Sequence, residues 1–255
     1  MTSNSRNLTA PRGYSFPRHR LATSLKDETK IPLVLVACGS FSPITYLHLR
    51  MFEMAKDHIV ENEKFELIGG YFSPVNDNYG KDGLVPAIHR VRMCERAVET
   101  TSDWLMVDPW EALNPSFQRT AVVLDHFDAE LNGSEGGIRV SSGEVKPIRI
   151  MLLAGGDLIK SFGDPSEWES DDLDHILGDY GCYLIERTGT DVWGFLLSHD
   201  ILHQHRRNVF VVKQLIHNDI SSTKIRLYVK RRMSIKYLLP NAVIDYIYDS
   251  RLYLD

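Results

Sequence analysis

Cysteine is scarce in this chain and badly placed for pairing. Cys38, Cys94 and Cys182 are its three, odd in number, widely spaced and without a C-x-x-C pair. That excludes a disulfide framework or a cysteine-built zinc site and points to a reducing compartment. Equally missing is an apolar stretch long enough to span a bilayer, and with it a signal-peptide core, so an intracellular chain with no membrane partner is expected. Positive charge is not in excess: 29 lysines and arginines face 34 aspartates and glutamates, for a net charge of −5. This balance argues against general nucleic-acid binding, although a phosphate ligand asks only for local positive charge. The G-x-x-x-x-G-K-[ST] pattern is absent, which sets aside kinases and ATPases of the P-loop class. No internal repeat is evident. Pro17-Arg-His-Arg20 is too short for a targeting signal, and nuclear and cytoplasmic residence both stay open.

What the 255 residues do contain, at 43% hydrophobic and 25% charged, is enough apolar material for one substantial core. The first 30 residues, rich in Ser, Thr, Arg and Pro, are expected to form a mobile tail. From Ile31 to Asp255 a single domain is expected, with strands over 31–37, 65–72, 104–108, 148–154, 181–187 and 208–213. Helical patterns cover 44–59, 86–101, 115–131, 191–205, 221–232 and 240–249. In the first of these, Ile44, Leu47, Met51 and Met54 form an apolar stripe; in the last, Pro240 suits a first turn. Alternation of this kind predicts a doubly wound, Rossmann-like parallel α/β sheet with ligands at the carboxyl ends of its strands. The Gly/Ser-rich stretch 132–147 breaks the rhythm and reads as a flexible surface insertion.

The most informative segment is Cys38-Gly-Ser-Phe-Ser-Pro-Ile-Thr-Tyr-Leu-His48, which follows the apolar run 31–37. That run lacks alternation, so it belongs in the middle of a sheet covered on both faces. Gly39 permits a tight turn and a close backbone approach to a ligand. Pro43 biases Ser42 away from helix, so a helix should start near Ile44 or Thr45. Its free N–H groups and positive dipole end then face the space above the sheet. Thr45 and His48, three apart, share a helical face and can address one phosphate ligand. Near the other end, Asn218-Asp-Ile-Ser-Ser-Thr-Lys-Ile-Arg226 offers Ser221, Ser222 and Thr223 as N-caps. Ile225, Tyr228 and Val229 should face inward, while Lys224 and Arg226 project beside amides that already favour anions. Lys230, Arg231 and Arg232 read as a solvated basic face. Gly155-Gly156-Asp157 ends the strand at 148–154, as a plain turn or as part of a site.

The string GSFSPITYLHLR resembles the Thr/His-x-x-His signature of the nucleotidylyltransferase superfamily, and within it the eukaryotic nicotinamide mononucleotide adenylyltransferases. The Ile-Ser-Ser-Thr-x-x-Arg pattern at 220–226 is similar to the second signature of the same superfamily. Ser73-Pro-Val75, Gly155-Gly-Asp157 and Asp179-Tyr-Gly181 continue the likeness, which covers about residues 31–255. The resemblance implies that ATP and nicotinamide mononucleotide, with nicotinic acid mononucleotide as an alternative, are joined to give NAD or its deamido form and pyrophosphate. It places ATP against Gly39, Ser40, Phe41, Thr45 and His48, with His48 steadying transition-state charge. Ser222, Thr223, Lys224, Ile225 and Arg226 would take the β- and γ-phosphates. Asn218 would meet the adenosine portion, and Gly155 and Asp157 a ribose. His48, Lys224 and Arg226 carry the catalytic expectation.

On the mononucleotide side the resemblance implies Trp168 as one wall of the pyridinium pocket, worth roughly 1–2 kcal/mol in stacking and cation–π energy. Phe117 stands where animal relatives have tryptophan, a departure that offers a smaller stacking face. Thr120 follows one turn on, and Glu167 precedes Trp168. Tyr79, Lys81 and Arg187 map near the mononucleotide phosphate, and Ser40 and Phe41 serve this substrate too. No acidic cluster offers a metal cage, so Mg2+ is expected to arrive on ATP with phosphate and water ligands. The resemblance also implies a homo-oligomer, since related enzymes often are. Competing readings are a phosphopantetheine adenylyltransferase, a cytidylyltransferase, or a chaperone-like binding protein. The Trp168 loop and the segment SPVNDNYGK speak against the first two, and intact His48, Lys224 and Arg226 against the third as a sole function.

Overall fold

The computed structural model describes residues 8, 10–133, 136–164, 167–186 and 191–254, without the side chains of 157, 159 and 160. In chain order the elements are β1 (Ile31–Gly39), α1 (Tyr46–Asn62), β2 (Phe65–Pro74), α2 (Ala87–Thr101), β3 (Leu105–Val107), α3 (Trp110–Leu113) and α4 (Thr120–Asn132). There follow β4 (Ile138–Arg139), β5 (Val145–Lys146), β6 (Arg149–Gly155), α5 (Gly156–Ser161), α6 (Ser170–His175) and β7 (Cys182–Glu186). The chain continues through α7 (Val192–Ser198), α8 (Asp200–Gln204), β8 (Val209–Lys213), α9 (Ser222–Lys230) and α10 (Asn241–Asp249). Six parallel strands make one sheet in the order β3-β2-β1-β6-β7-β8.

Strand β1 lies centrally because both of its faces are apolar. Leu33, Leu35 and Ala37 belong to one core with α1, α2, α9 and α10, while Val34 and Val36 belong to the other with α4 and the N-terminal segment. The direction of strand progression reverses between β1 and β6, so their carboxyl ends open a crevice at the switch point, where ligands of open α/β sheets sit. The turns after Gly39 and Gly155 form its floor.

Four stretches take a form the sequence patterns did not spell out. Within the 1–30 tail, residues 14–30 run against the edge of β2. Strand β3 is only three residues long and pairs with Gly70–Phe72, which leaves the lower outer edge of β2 uncovered. The Ala22 N–H donates to the Ile68 carbonyl (2.9 Å), and the Glu66 carboxylate accepts from the N–H groups of Lys26 (2.7 Å) and Asp27 (2.9 Å). An open strand edge invites such a cover. Buried Phe16 and the Tyr14 hydroxyl, 2.9 Å from both Asp108 Oδ1 and His126 Nε2, anchor the segment. Within 132–147, β4 and β5 form an antiparallel hairpin, and the Glu28 carboxylate accepts from the Ser141 N–H (2.7 Å) and hydroxyl (2.5 Å). The helix expected over 115–131 starts only at Thr120, with Arg119 extended (φ −71°, ψ 147°) as its N-cap. The helix expected over 191–205 breaks at His199, whose backbone is extended (φ −118°, ψ 119°), into α7 and α8.

Candidate active site

The loop after β1 is built around Phe41. Its ring folds back over Gly39, where an added Cβ would lie 3.0 Å from Cζ, and it meets Phe72 and His48 edge-on at 5.0 and 5.3 Å. Any side chain at 39 would displace that ring. Phe41 is therefore part of the core, and the loop turns its backbone, not this ring, toward the crevice. Thr45 is the N-cap of α1 and has no exposed surface. Its N–H and its hydroxyl both lie 2.9 Å from His48 Nδ1. An amide N–H can only donate, so Nδ1 accepts and the ring proton sits on Nε2. Thr45 thus orients His48 rather than presenting its own hydroxyl, and His48 becomes a donor of fixed tautomer at the helix N-terminus.

Helix α9 begins against this same loop. Ser221 caps it by accepting from the Lys224 N–H (3.3 Å). The Ser222 hydroxyl donates to the Pro43 carbonyl (2.8 Å), and Arg226 Nη1 donates to the Ser42 carbonyl (2.9 Å). Arg226 Nη2 lies 3.3 Å from the Thr223 hydroxyl, and a Cβ at Gly83 would lie 3.4 Å from its Nε. The two helix N-termini, 179 residues apart between Pro43 and Ser222, therefore share one rim. Ile225 is 1% exposed and packs in the core, so a ligand can reach only its backbone. Exposed Lys224 holds Asp219 (2.5 Å), which keeps that carboxyl below its usual range. Asn218 uses its side-chain oxygen to accept from the Ile220 N–H (3.0 Å), closing the turn before the cap. Gly155 ends β6 beneath the Met51 side chain, and a Cβ added there would lie 3.8 Å from Met51 Cε. Asp157 lies in the first turn of α5, and its side chain, like all of Arg187, falls outside the described residues.

A second group gathers where β2 and β3 end. Phe117, 42% exposed, stacks on Tyr79 with centroids 5.7 Å apart and planes 26° apart. Burial raises the Tyr79 hydroxyl's pKa, and the charges of Glu167 and Glu111 raise it further. Trp168 packs edge-on against Phe162 (4.7 Å), and its indole N–H donates to the Ser161 hydroxyl (2.9 Å). Thr120 opens α4, half-buried, and Lys81 is exposed. Buried Asn76 steadies the group: its side-chain amide donates to the Asn114 carbonyl, and its oxygen accepts from the Asn78 N–H (2.8 Å).

Sequence reasoning missed several residues. Arg90 on α2 is fully buried, donating to the carbonyls of Val85 (2.9 Å) and Ser40 (3.2 Å) and to Asp77 Oδ1 (2.9 Å). It ties the loop after β1 to both ends of the loop between β2 and α2. Its signal was available: Arg90 falls on the stripe of Ala87, Val91, Cys94 and Val98, where an arginine needs a reason. Glu111, 2% exposed, accepts from the Ser73 hydroxyl (2.6 Å), and burial, with Asp108 adding, pushes its pKa up to about 8. Arg119 reaches Glu169 and, at 3.2 Å, buried Asp172. Among the described residues no cluster of three or more His, Cys, Asp or Glu is arranged to hold a metal ion, and no helix is long and apolar enough to cross a membrane.

Comparison with known proteins fits this geometry. The cytidylyltransferase-like family model matches residues 36–227, from within β1 to within α9. The chain is 64% identical to nicotinamide/nicotinic acid mononucleotide adenylyltransferase 1 of Saccharomyces cerevisiae, over 95% of this chain and 60% of that protein. It is 65% identical to the corresponding Schizosaccharomyces pombe enzyme over 66% of its length, so it spans under two thirds of these fungal relatives. Against the Bos taurus enzyme it is 40% identical, with 90% of this chain and 91% of that protein covered. A solved Plasmodium falciparum nicotinic acid mononucleotide adenylyltransferase, complexed with NaAD, shares the fold at a TM-score of 0.60 and 19% identity, covering 87% and 97% of the two chains.

Proposed function

Because the chain belongs to the nicotinamide/nicotinic acid mononucleotide adenylyltransferase family, we propose that it joins ATP to nicotinamide or nicotinic acid mononucleotide, forming NAD or its deamido form and pyrophosphate. The observation that carries this reading is the shared rim of α1 and α9. Two helix N-termini, an imidazole donor and Arg226 converge beside the switch point between β1 and β6. A triphosphate matches such a concentration of donors.

The mononucleotide's phosphate attacks the α-phosphorus of ATP and pyrophosphate leaves in line. A phosphate monoester has its second pKa near about 6, so the nucleophile is largely ionised at neutral pH and needs no protein base. The work left to the protein is to hold two anions at reaction distance and to meet the charge that grows on the leaving group. His48, held by Thr45, presents Nε2–H as a donor for that purpose. Arg226 and the α9 amides take the β- and γ-phosphates, and Lys224 adds charge once it exchanges Asp219 for phosphate. Tyr79, Phe117 and Trp168 supply aromatic faces for the pyridinium ring.

Mg2+ would be brought in on ATP as part of the substrate and would supply charge neutralisation at the phosphates, with Lys224, Arg226 and His48 holding the triphosphate around it. The donor set fits this, since buried Asp108 and Glu111 are turned to Tyr14, His126 and Ser73 rather than toward the rim. Assembly into homo-oligomers belongs to the same family reading, and sedimentation velocity measures it.

The test is incubation of the purified chain with Mg-ATP and, separately, each pyridine mononucleotide, phosphopantetheine and a CTP-plus-phosphate pair. Stoichiometric pyrophosphate and dinucleotide are expected with the pyridine mononucleotides alone. Turnover of phosphopantetheine or CTP instead overturns the assignment.

A further inference from the structure

We propose that Arg119 is a positioning residue that holds the Trp168 loop against the start of α4 and so keeps the two aromatic sides of the base pocket in place; this rests on the reading of the pyridine pocket given above. Arg119 is the N-cap of α4, two residues after Phe117 and one before Thr120. Its Nη1 reaches Glu169, the residue after Trp168, and Asp172 Oδ2 at 3.2 Å in the first turn of α6. The hydrogen bonds Trp168 makes among the described residues are local. Its N–H donates to the Asp164 carbonyl (3.1 Å), its indole N–H to Ser161, and its ring packs on Phe162. The Arg119 pairs run instead between two segments some 50 residues apart, each carrying one aromatic side of the pocket.

Exposure decides which pair matters. The Glu169 side chain is 70% exposed, and a solvated ion pair contributes little. The Asp172 side chain is 5% exposed, and taking the arginine from a carboxylate so deeply placed disturbs it far more. One guanidinium nitrogen, Nη1, lies in reach of both carboxylates, and a lysine ammonium on a shorter stem would bring the same charge to only part of that reach. Arg119 meets no reacting atom in this scheme, so its effect should fall on mononucleotide affinity rather than on turnover.

The experiment compares wild type, Arg119→Ala and Arg119→Lys by steady-state kinetics and by amide hydrogen exchange of the ligand-free chain. For Arg119→Ala, mononucleotide KM should rise about fivefold, with kcat and ATP KM within about twofold of wild type. Arg119→Lys should recover part of that loss, and in Arg119→Ala exchange should quicken at 167–172 but not at α1. An unchanged mononucleotide KM, or an equal rise in ATP KM, overturns the proposal. Should wild type form no dinucleotide, the proposed reaction fails on its own account. The exchange arm then still decides the clamp: quickened exchange at 167–172 supports it, and unchanged exchange sinks it.

Discussion

His48 joins two jobs in one ring, and the structure allows them to be separated. Nδ1 accepts the Thr45 N–H at 2.9 Å and so satisfies one donor at the open end of α1. Loss of such a cap contact costs about 1 kcal/mol. Nε2 carries the proton that, in the proposed reaction, meets charge growing toward pyrophosphate. Deleting one preorganised donor of this type costs about 2.7–4 kcal/mol, a factor of about 10²–10³ in kcat. His48→Ala removes both jobs. His48→Asn keeps an oxygen near the position of Nδ1 and removes only the distal donor. Both variants should therefore lose about 100-fold or more in kcat with little change in mononucleotide KM, whereas only the alanine should lower unfolding free energy, by about 1 kcal/mol. Steady-state kinetics with urea denaturation of each variant reads all three quantities. An asparagine variant with wild-type kcat refutes the role of Nε2, and equal losses in kcat and mononucleotide affinity refute the assignment to the transition state.

Other residues give tests of different links. Phe117→Trp enlarges the exposed face now stacked on Tyr79 and should lower mononucleotide KM about two- to fivefold; an unchanged KM removes Phe117 from the pocket. Glu111 has its pKa raised from 4.5 to about 8 by burial, so the folded state holds a proton that the unfolded chain has released. Its contribution to stability is complete below about 4.5 and fades as pH climbs to about 8, at up to about 1.4 kcal/mol per pH unit. Thermal melts of wild type should therefore decline from pH 5 to 8 more steeply than those of Glu111→Gln, and parallel profiles would count against a neutral Glu111. Arg90→Met removes three hydrogen bonds of a buried guanidinium and leaves the Ser40 and Val85 carbonyls without that donor, for an expected loss of about 3 kcal/mol in urea unfolding. A loss under about 0.5 kcal/mol, the range of ordinary surface changes, would show that the rim loops do not depend on it.

The elements that build the crevice were legible because each rests on a local pattern. An apolar run without alternation can only be central, and Leu33/Val34/Leu35/Val36 divide between two cores as that demands. Serines before a stripe of Ile225 and Val229 mark a helix start, and Ser221 caps α9. Packing alters three of the site readings, that of fully buried Thr45 among them. Phe41 and Ile225 sit in motifs, yet their side chains fill the core, because a motif states which residue stands at a position and not which way it turns.

Residues 31–249 thus carried in their own order the strand sequence, the two helix starts and the glycine turns, all of which depend on neighbours within a few positions. Tertiary structure alone decided that Ser222 would meet Pro43, that Arg90 would join the loops after β1 and β2, that Arg119 would reach Asp172, and that residues 14–30 would cover the exposed edge of β2. These contacts join positions tens to hundreds apart, and no period along a chain encodes them. They form only after the sheet has set where each loop ends, when a side chain of the right length finds a buried partner it would be costly to leave unmet.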